Sequence, residues 1–134
     1  FVTPICYEIL DSNYMRNLLS IWGDNHFIVN HTNDSWYGDT AEPLQHLFLS
    51  KWRALEFQLP IIRSTNTGIT SVIFPDGSES KRLGVGDRDI LENTIEIRKP
   101  EETIYLRWGF IPTLLLALFL GGITFWIERN EIRP

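Results

Sequence analysis

Between Phe110 and Ile127 the chain reads FIPTLLLALFLGGITFWI, 18 residues without a charge. No other feature restricts its fold as tightly. An uncharged apolar stretch of about 18 residues or more is long enough to cross a hydrocarbon core as a helix. Trp108 and Trp126 stand near its two ends, where amphipathic rings favour the interface. Arg107 on one side and Glu128-Arg129 on the other mark its boundaries. Pro112 falls in the first turn, where a missing N–H is tolerated. Gly121-Gly122 would weaken a water-exposed helix but is ordinary in a membrane helix. A core helix of a soluble domain would interrupt such a run with polar residues. We therefore read 108–128 as one C-terminal transmembrane helix, with a domain over 1–107 before it and a short tail over 129–134. Arg98, Lys99 and Arg107 before the span balance Arg129 and Arg133 after it, so charge assigns no orientation.

The full 134 residues leave room for one domain with a core of its own. The chain opens at Phe1, inside a strand-like run and without an initiator Met, and reads as a piece of a longer protein. Its net charge of -5, from 12 Lys+Arg against 17 Asp+Glu, argues against a nucleic-acid footprint. A single cysteine excludes an internal disulfide framework.

Phe1 to Ile5 is a strand candidate running into Cys6. Asp11-Ser12 signals a helix start. Met15, Leu18, Leu19 and Trp22 then recur on one helical face that Gly23 can end. Phe27-Ile28-Val29 reads as a buried strand and Asn30 to Asp39 as a polar loop. A second helix starts at Pro43, with Leu44, Leu47, Phe48, Trp52 and Leu55 as its apolar stripe. His46, Leu49, Arg53 and Glu56 fall on the opposite face. From Pro60 the pattern turns to β. Ile61-Ile62 and Ile69 to Phe74 are strands joined by Thr65-Asn66-Thr67-Gly68, and Pro75-Asp76-Gly77 predicts a hairpin into Ser78 to Leu83. Asn93 to Ile97 alternates like a further strand. The order implies an α/β or layered sandwich.

Cys6, in Pro4-Ile5-Cys6-Tyr7-Glu8, is either a small buried hydrophobe or a nucleophile. The turn into a helix favours the second reading, because oriented N–H groups stabilise a thiolate and can face an oxyanion. Glu8 is either an acid/base or orienting group or a solvated loop carboxylate. His31 and Asp34 permit a Cys/His/Asp arrangement but stand in one loop without recognisable spacing. His26, His31 and His46 match no metal-ligand spacing. His26 reads as a surface residue and His46 as a polar contact on its helix. In Asn33-Asp34-Ser35-Trp36-Tyr37-Gly38, the paired aromatics either wall a pocket or pack on their own loop. Arg53 and Glu56 have the spacing of a helical ion pair. Arg63, set among apolar residues, needs a carboxylate, for which Glu56 is a candidate.

Taken in order, Cys6-Tyr7-Glu8, the Asn33–Gly38 motif, Pro43-Leu44-Gln45-His46, Arg53-Ala54-Leu55-Glu56 and Arg63 to Thr70 resemble the C-terminal half of the apolipoprotein N-acyltransferases. That family is a membrane-embedded branch of the nitrilase superfamily. Thr103, Tyr105 and Gly109 followed by one apolar span resemble its return to the membrane. The resemblance covers essentially the whole chain, with mild departures at Tyr37 and Ser71. It implies part of a nitrilase-like αββα sandwich, with Cys6 as the nucleophile of a Glu-Lys-Cys triad. Tyr7 and Glu8 match the motif neighbours that support the site. Trp36 and Tyr37 become candidates for a substrate-pocket wall, and Arg53, Glu56 and Arg63 for structural roles. The family's Glu and Lys precede its cysteine and would lie before Phe1. Lys51, Lys81 and Lys99 follow Cys6 and are not assigned to the triad.

The implied reaction transfers an acyl chain from a phospholipid, through a Cys6 thioester, to the N-terminal diacylglyceryl-cysteine of an apolipoprotein. It implies no cofactor and no metal. The implied location is the bacterial inner membrane, with the catalytic domain on the periplasmic side. The alternatives are a membrane-tethered nitrilase-type amidase, in which water replaces the amine, and a non-catalytic membrane-anchored interaction domain. Without the first half of its sandwich this piece alone is expected to be inactive and not stably folded.

Overall fold

A small mixed sheet organises the region before the apolar span in the computed structural model, which describes residues 1–38, 40–98 and 101–131. Asp39, Lys99, Pro100 and residues 132–134 lie outside the described residues, as do the side chains of Trp22 and Glu131. Strand β1 (Ile28–Thr32) pairs in parallel with β2 (Ile61–Thr65), and β2 pairs antiparallel with β3 (Ser71–Ile73). The opening segment bridges in parallel from Val2 to Ile28 and from Ile5 to His31, so it continues the parallel part of the sheet. Parallel neighbours need long crossovers. Helix α1 (Ser12–Trp22) supplies the first and α2 (Glu42–Phe57) the second.

Two local signals act as the sequence indicates. Asp11 caps α1, its carboxylate accepting from the N–H groups of Asn13 and Tyr14 at 2.9 and 3.0 Å. Met15 and Leu19 are buried with Leu18 packed against them, and Gly23 ends the helix at φ 64°. The Pro75-Asp76-Gly77 turn also forms. Beyond it Ser80 N–H donates to Val72 at 2.9 Å and Leu83 N–H to Thr70 at 3.0 Å.

Three expectations are corrected. Asn30, His31 and Thr32 belong to β1 rather than to the following loop, because β2 offers them partners through Arg63, Ser64 and Thr65. Asn93 to Ile97 forms no strand. Among the described residues no strand pairs with it, and Arg98 bonds Glu96 in solvent instead. The third correction concerns α2, which lies opposite to its expected orientation. Leu47 is buried, but Leu44, Phe48, Trp52 and Leu55 are exposed, whereas His46, Ser50, Arg53, Ala54 and Phe57 face inward.

The sheet explains that inversion. Alternate residues share a face, and the register places Ile28, Ile61 and Ile73 in one buried row. On the same face, toward the other end of the strands, come Asn30, Thr32, Arg63 and Ser71, all buried. The covered face therefore grades from apolar to polar, and at its polar end His46 of α2 turns inward to Asp34, which in turn holds Arg63. On the opposite face Val29 and Ile62 are half-buried while His31 and Ser64 are exposed.

Helix α3 (Ile104–Trp108) joins this body to the apolar span. Thr103 caps it by accepting from Leu106 N–H at 3.0 Å and ties it to α2 by donating to the Glu56 carbonyl at 2.7 Å. Gly109 then takes φ 57°, and α4 (Ile111–Glu131) begins. Its Ile111–Asn130 stretch has a mean hydropathy of 1.8 and none of it is buried against the rest of the chain. A core helix would be covered. This one presents apolar side chains on every side, as a membrane-spanning helix does.

Candidate active site

Cys6 is the first residue of a 3-10 turn, Cys6–Leu10, and its φ is +51°. That left-handed conformation costs a side-chain-bearing residue roughly 1–2 kcal/mol, so its surroundings must enforce it. From the chain itself, Glu8 folds back and its carboxylate accepts from Ile5 N–H at 2.7 Å, while Glu8 N–H donates to the Ile5 carbonyl at 3.0 Å. Beneath the turn, Ile9 is fully buried. From β1, the Asn30 amide nitrogen donates to the Pro4 carbonyl at 3.1 Å and to the Cys6 carbonyl at 3.3 Å. Cys6 is left half-exposed, with Ile5 63% exposed beside it.

Asn30 is the near end of a buried polar chain. Its oxygen accepts from Arg63 Nη1 at 2.9 Å and from the Thr32 hydroxyl at 3.0 Å. Arg63 Nη2 donates to Asp34 Oδ2 at 2.8 Å, and Arg63 Nε donates to the Ile69 carbonyl at 3.2 Å. Neither Arg63 nor Asp34 has an exposed side-chain atom. Burial works against the guanidinium's charge, and the Asp34 carboxylate works for it. This pair corrects the expected Arg63–Glu56 partnership. Glu56 instead meets Arg53 on its own helix at 3.1 Å, and Arg53 also reaches the Ser12 hydroxyl. Arg53 and Glu56 thus join α2 to the start of α1, only partly in solvent. Burial holds the Glu56 carboxyl above its ordinary range, with Arg53 opposing.

From Asp34 the chain continues into α2. Its Oδ1 lies 3.2 Å from His46 Nδ1, and the His46 ring stacks on Tyr7 with centroids 4.5 Å apart. Burial, followed by the nearby Arg63, lowers the His46 pKa, while Asp34 and Glu42 oppose that shift. The Tyr7 hydroxyl bonds Glu42, and its ring meets Tyr37 edge-on at 6.1 Å. Burial and the Glu42 carboxylate raise the phenol pKa, so Tyr7 stays protonated. The turn carrying Cys6 is therefore held at two points, by Asn30 from below and through Tyr7 from the side.

The other expected residues divide. Tyr37 packs on Tyr7, whereas Trp36 is 81% exposed. His31 is exposed, and Asp34 is committed to Arg63 and His46, so no Cys/His/Asp arrangement assembles among the described residues. His26 is half-buried against the Arg98 carbonyl. Asp34, Glu42 and His46 bring ligand atoms within 4.8 Å of one another. The Arg63 guanidinium already occupies one oxygen of that group, which is unsuited to a cation. Gly68 packs against Asp34 so closely that a Cβ would collide with the carboxylate. Sequence reasoning missed Asn30 and the inward orientation of His46. The available signal was Arg63 itself, since a buried guanidinium needs acceptors from more than one element.

Residues 2–105 match the carbon-nitrogen hydrolase family. Over 130 residues the chain is 34% identical to an apolipoprotein N-acyltransferase of Vibrio cholerae, covering 97% of this chain and 25% of that protein. An apolipoprotein N-acyltransferase of Bradyrhizobium diazoefficiens is 41% identical over 115 residues, 84% of this chain and 20% of its own length. An apolipoprotein N-acyltransferase 2 of Leptospira interrogans is 38% identical over 126 residues, 92% and 21% respectively. The chain thus spans a fifth to a quarter of these curated relatives.

Proposed function

This chain belongs to the carbon-nitrogen hydrolase family, and we propose that it carries the nucleophile of a membrane-bound apolipoprotein N-acyltransferase. In the first half-reaction the Cys6 thiolate attacks an ester carbonyl carbon of a phospholipid. A C–S bond forms, the C–O bond to glycerol breaks, and the released oxygen takes a proton to give a lysophospholipid. In the second, the α-amino group of an apolipoprotein's diacylglyceryl-cysteine attacks the thioester. A C–N bond forms, the C–S bond breaks, the nitrogen gives up a proton, and the thiolate returns. Thioesters react readily with amines, so one hard transfer becomes two easier ones. On this reading the Glu and Lys of the triad precede Phe1 in the longer protein, and the domain faces the periplasm from the inner membrane.

The observation that carries the reading is the Cys6 turn. A half-exposed thiol sits on strained backbone held by its own dedicated contacts, an arrangement typical of functional sites. The surroundings suit a lipid. Ile5 and Tyr7 flank Cys6 with exposed apolar surface, and Trp36 stands beside Tyr37, which packs on Tyr7. A domain tethered by α4 meets both lipid substrates at the membrane surface, where water is scarce.

Mass spectrometry of the full-length protein incubated with phospholipid tests this directly. The expected result is an acyl-chain mass increase on the Cys6 peptide, removable by hydroxylamine, and no transfer by Cys6→Ala. An unmodified Cys6, or transfer retained in Cys6→Ala, overturns the proposal.

A further inference from the structure

We infer that Asn30 is a positioning residue for the Cys6 nucleophile, holding the thiol's backbone in its left-handed conformation through the Cys6 carbonyl. The inference rests on the reading of Cys6 as the acylated residue and adds a group outside the Cys-Tyr-Glu motif. Three observations support it.

First, the orientation of the Asn30 amide is fixed by chemistry. Arg63 can only donate, and it lies 2.9 Å from Asn30 Oδ1, so the NH2 group must point the other way. Second, that NH2 group reaches the carbonyls of Pro4 and Cys6 at 3.1 and 3.3 Å, two carbonyls that bracket the turn's entry. Third, Asn30 is fully buried, and neither Arg63, which holds its oxygen, nor Asp34, which holds Arg63, has an exposed side-chain atom, so the amide has little room to give. A left-handed cysteine persists only where its surroundings over-determine it. Asn30 is the contact that does this from another strand. The Arg63–Asp34–His46 chain behind it then transmits rigidity from α2 and β2 to the reacting residue.

Asn30→Asp in the full-length protein is the informative variant. The carboxylate keeps acceptors for Arg63 and Thr32 but replaces a donor with an acceptor against two carbonyls. The expected result is an acylation rate of Cys6 lowered about 10- to 100-fold, the range a roughly 1 Å misplacement produces. KM for phospholipid should stay near the wild-type value, because only the reacting geometry has moved. An unchanged rate, or a change confined to KM, overturns the inference. Should Asn30→Asp fail to fold, Thr32→Val decides. It removes one hydroxyl that orients the Asn30 oxygen, and kcat should fall about fivefold, the equivalent of one ordinary hydrogen bond, at unchanged KM. Wild-type kcat in a folded Thr32→Val overturns the inference. Cys6→Ala separates the two claims. If it is inactive while Asn30→Asp acylates normally, the positioning role falls and the functional reading stands. If Cys6→Ala transfers acyl chains, both fall.

Discussion

A single missing methyl group shows how tightly the site is built. Gly68 faces the Asp34 carboxylate with no space for a Cβ. Asp34 cannot retreat, because Arg63 holds one oxygen at 2.8 Å and His46 the other at 3.2 Å. Gly68→Ala should therefore destabilise the protein by about 1–3 kcal/mol, the usual cost of overpacking, read as a lower melting temperature. A melting curve superimposable on the wild type would show that the Asp34 carboxylate can yield to a Cβ. At this scale the sequence was partly legible. Arg63 announced a buried carboxylate, but sequence spacing pointed to Glu56, one helix back. The real partner, Asp34, follows β1, and the parallel register brings the end of β1 beside Arg63. Such proximity is created by the sheet and leaves no mark in local spacing.

Among the elements, α2 and α4 give contrasting lessons. In α4 composition alone decided the matter, because every face is apolar and no choice of inward side arises. Leu116→Arg, near the middle of that span, should cost about 3 kcal/mol of insertion free energy. A glycosylation-mapping insertion assay would register this as a marked loss of the spanning form. Undiminished insertion would argue that α4 does not cross the bilayer. In α2 the 3.6-residue period found a stripe, but of its members only Leu47 is buried, while His46 and Arg53 from the other face turn inward. Periodicity locates a stripe. It does not say what the stripe must satisfy, and here the sheet beneath offers Asn30, Arg63 and Ser71 to be matched. His46 turned inward to Asp34, the partner of Arg63, and Arg53 to Ser12, leaving Leu44, Phe48 and Trp52 outside.

For the molecule as a whole, the buried His46 ties global stability to pH. Its folded-state pKa lies below the ordinary 6.5. As pH falls through about 6.5 the unfolded chain binds a proton that the folded state refuses, so stability drops toward the folded pKa. Arg63, Asp34 and Glu42 are the charged groups bearing on that ring. Glu56, raised above the ordinary 4.5, acts in the opposite direction at lower pH by taking up its proton first in the folded state. Melting temperatures should decline as pH falls below about 6.5, with a flatter profile in His46→Gln. Equal slopes in the two proteins would remove His46 as the cause. The left-handed Cys6 has a consequence at this scale too. Gly tolerates that backbone without penalty, so Cys6→Gly should raise the melting temperature by the equivalent of about 1 kcal/mol, and on the proposed role of Cys6 it should also abolish acyl transfer. On that proposed role, selection for durability and selection for turnover pull this position in opposite directions. A screen that rewards thermal resistance alone would drift toward an inert protein.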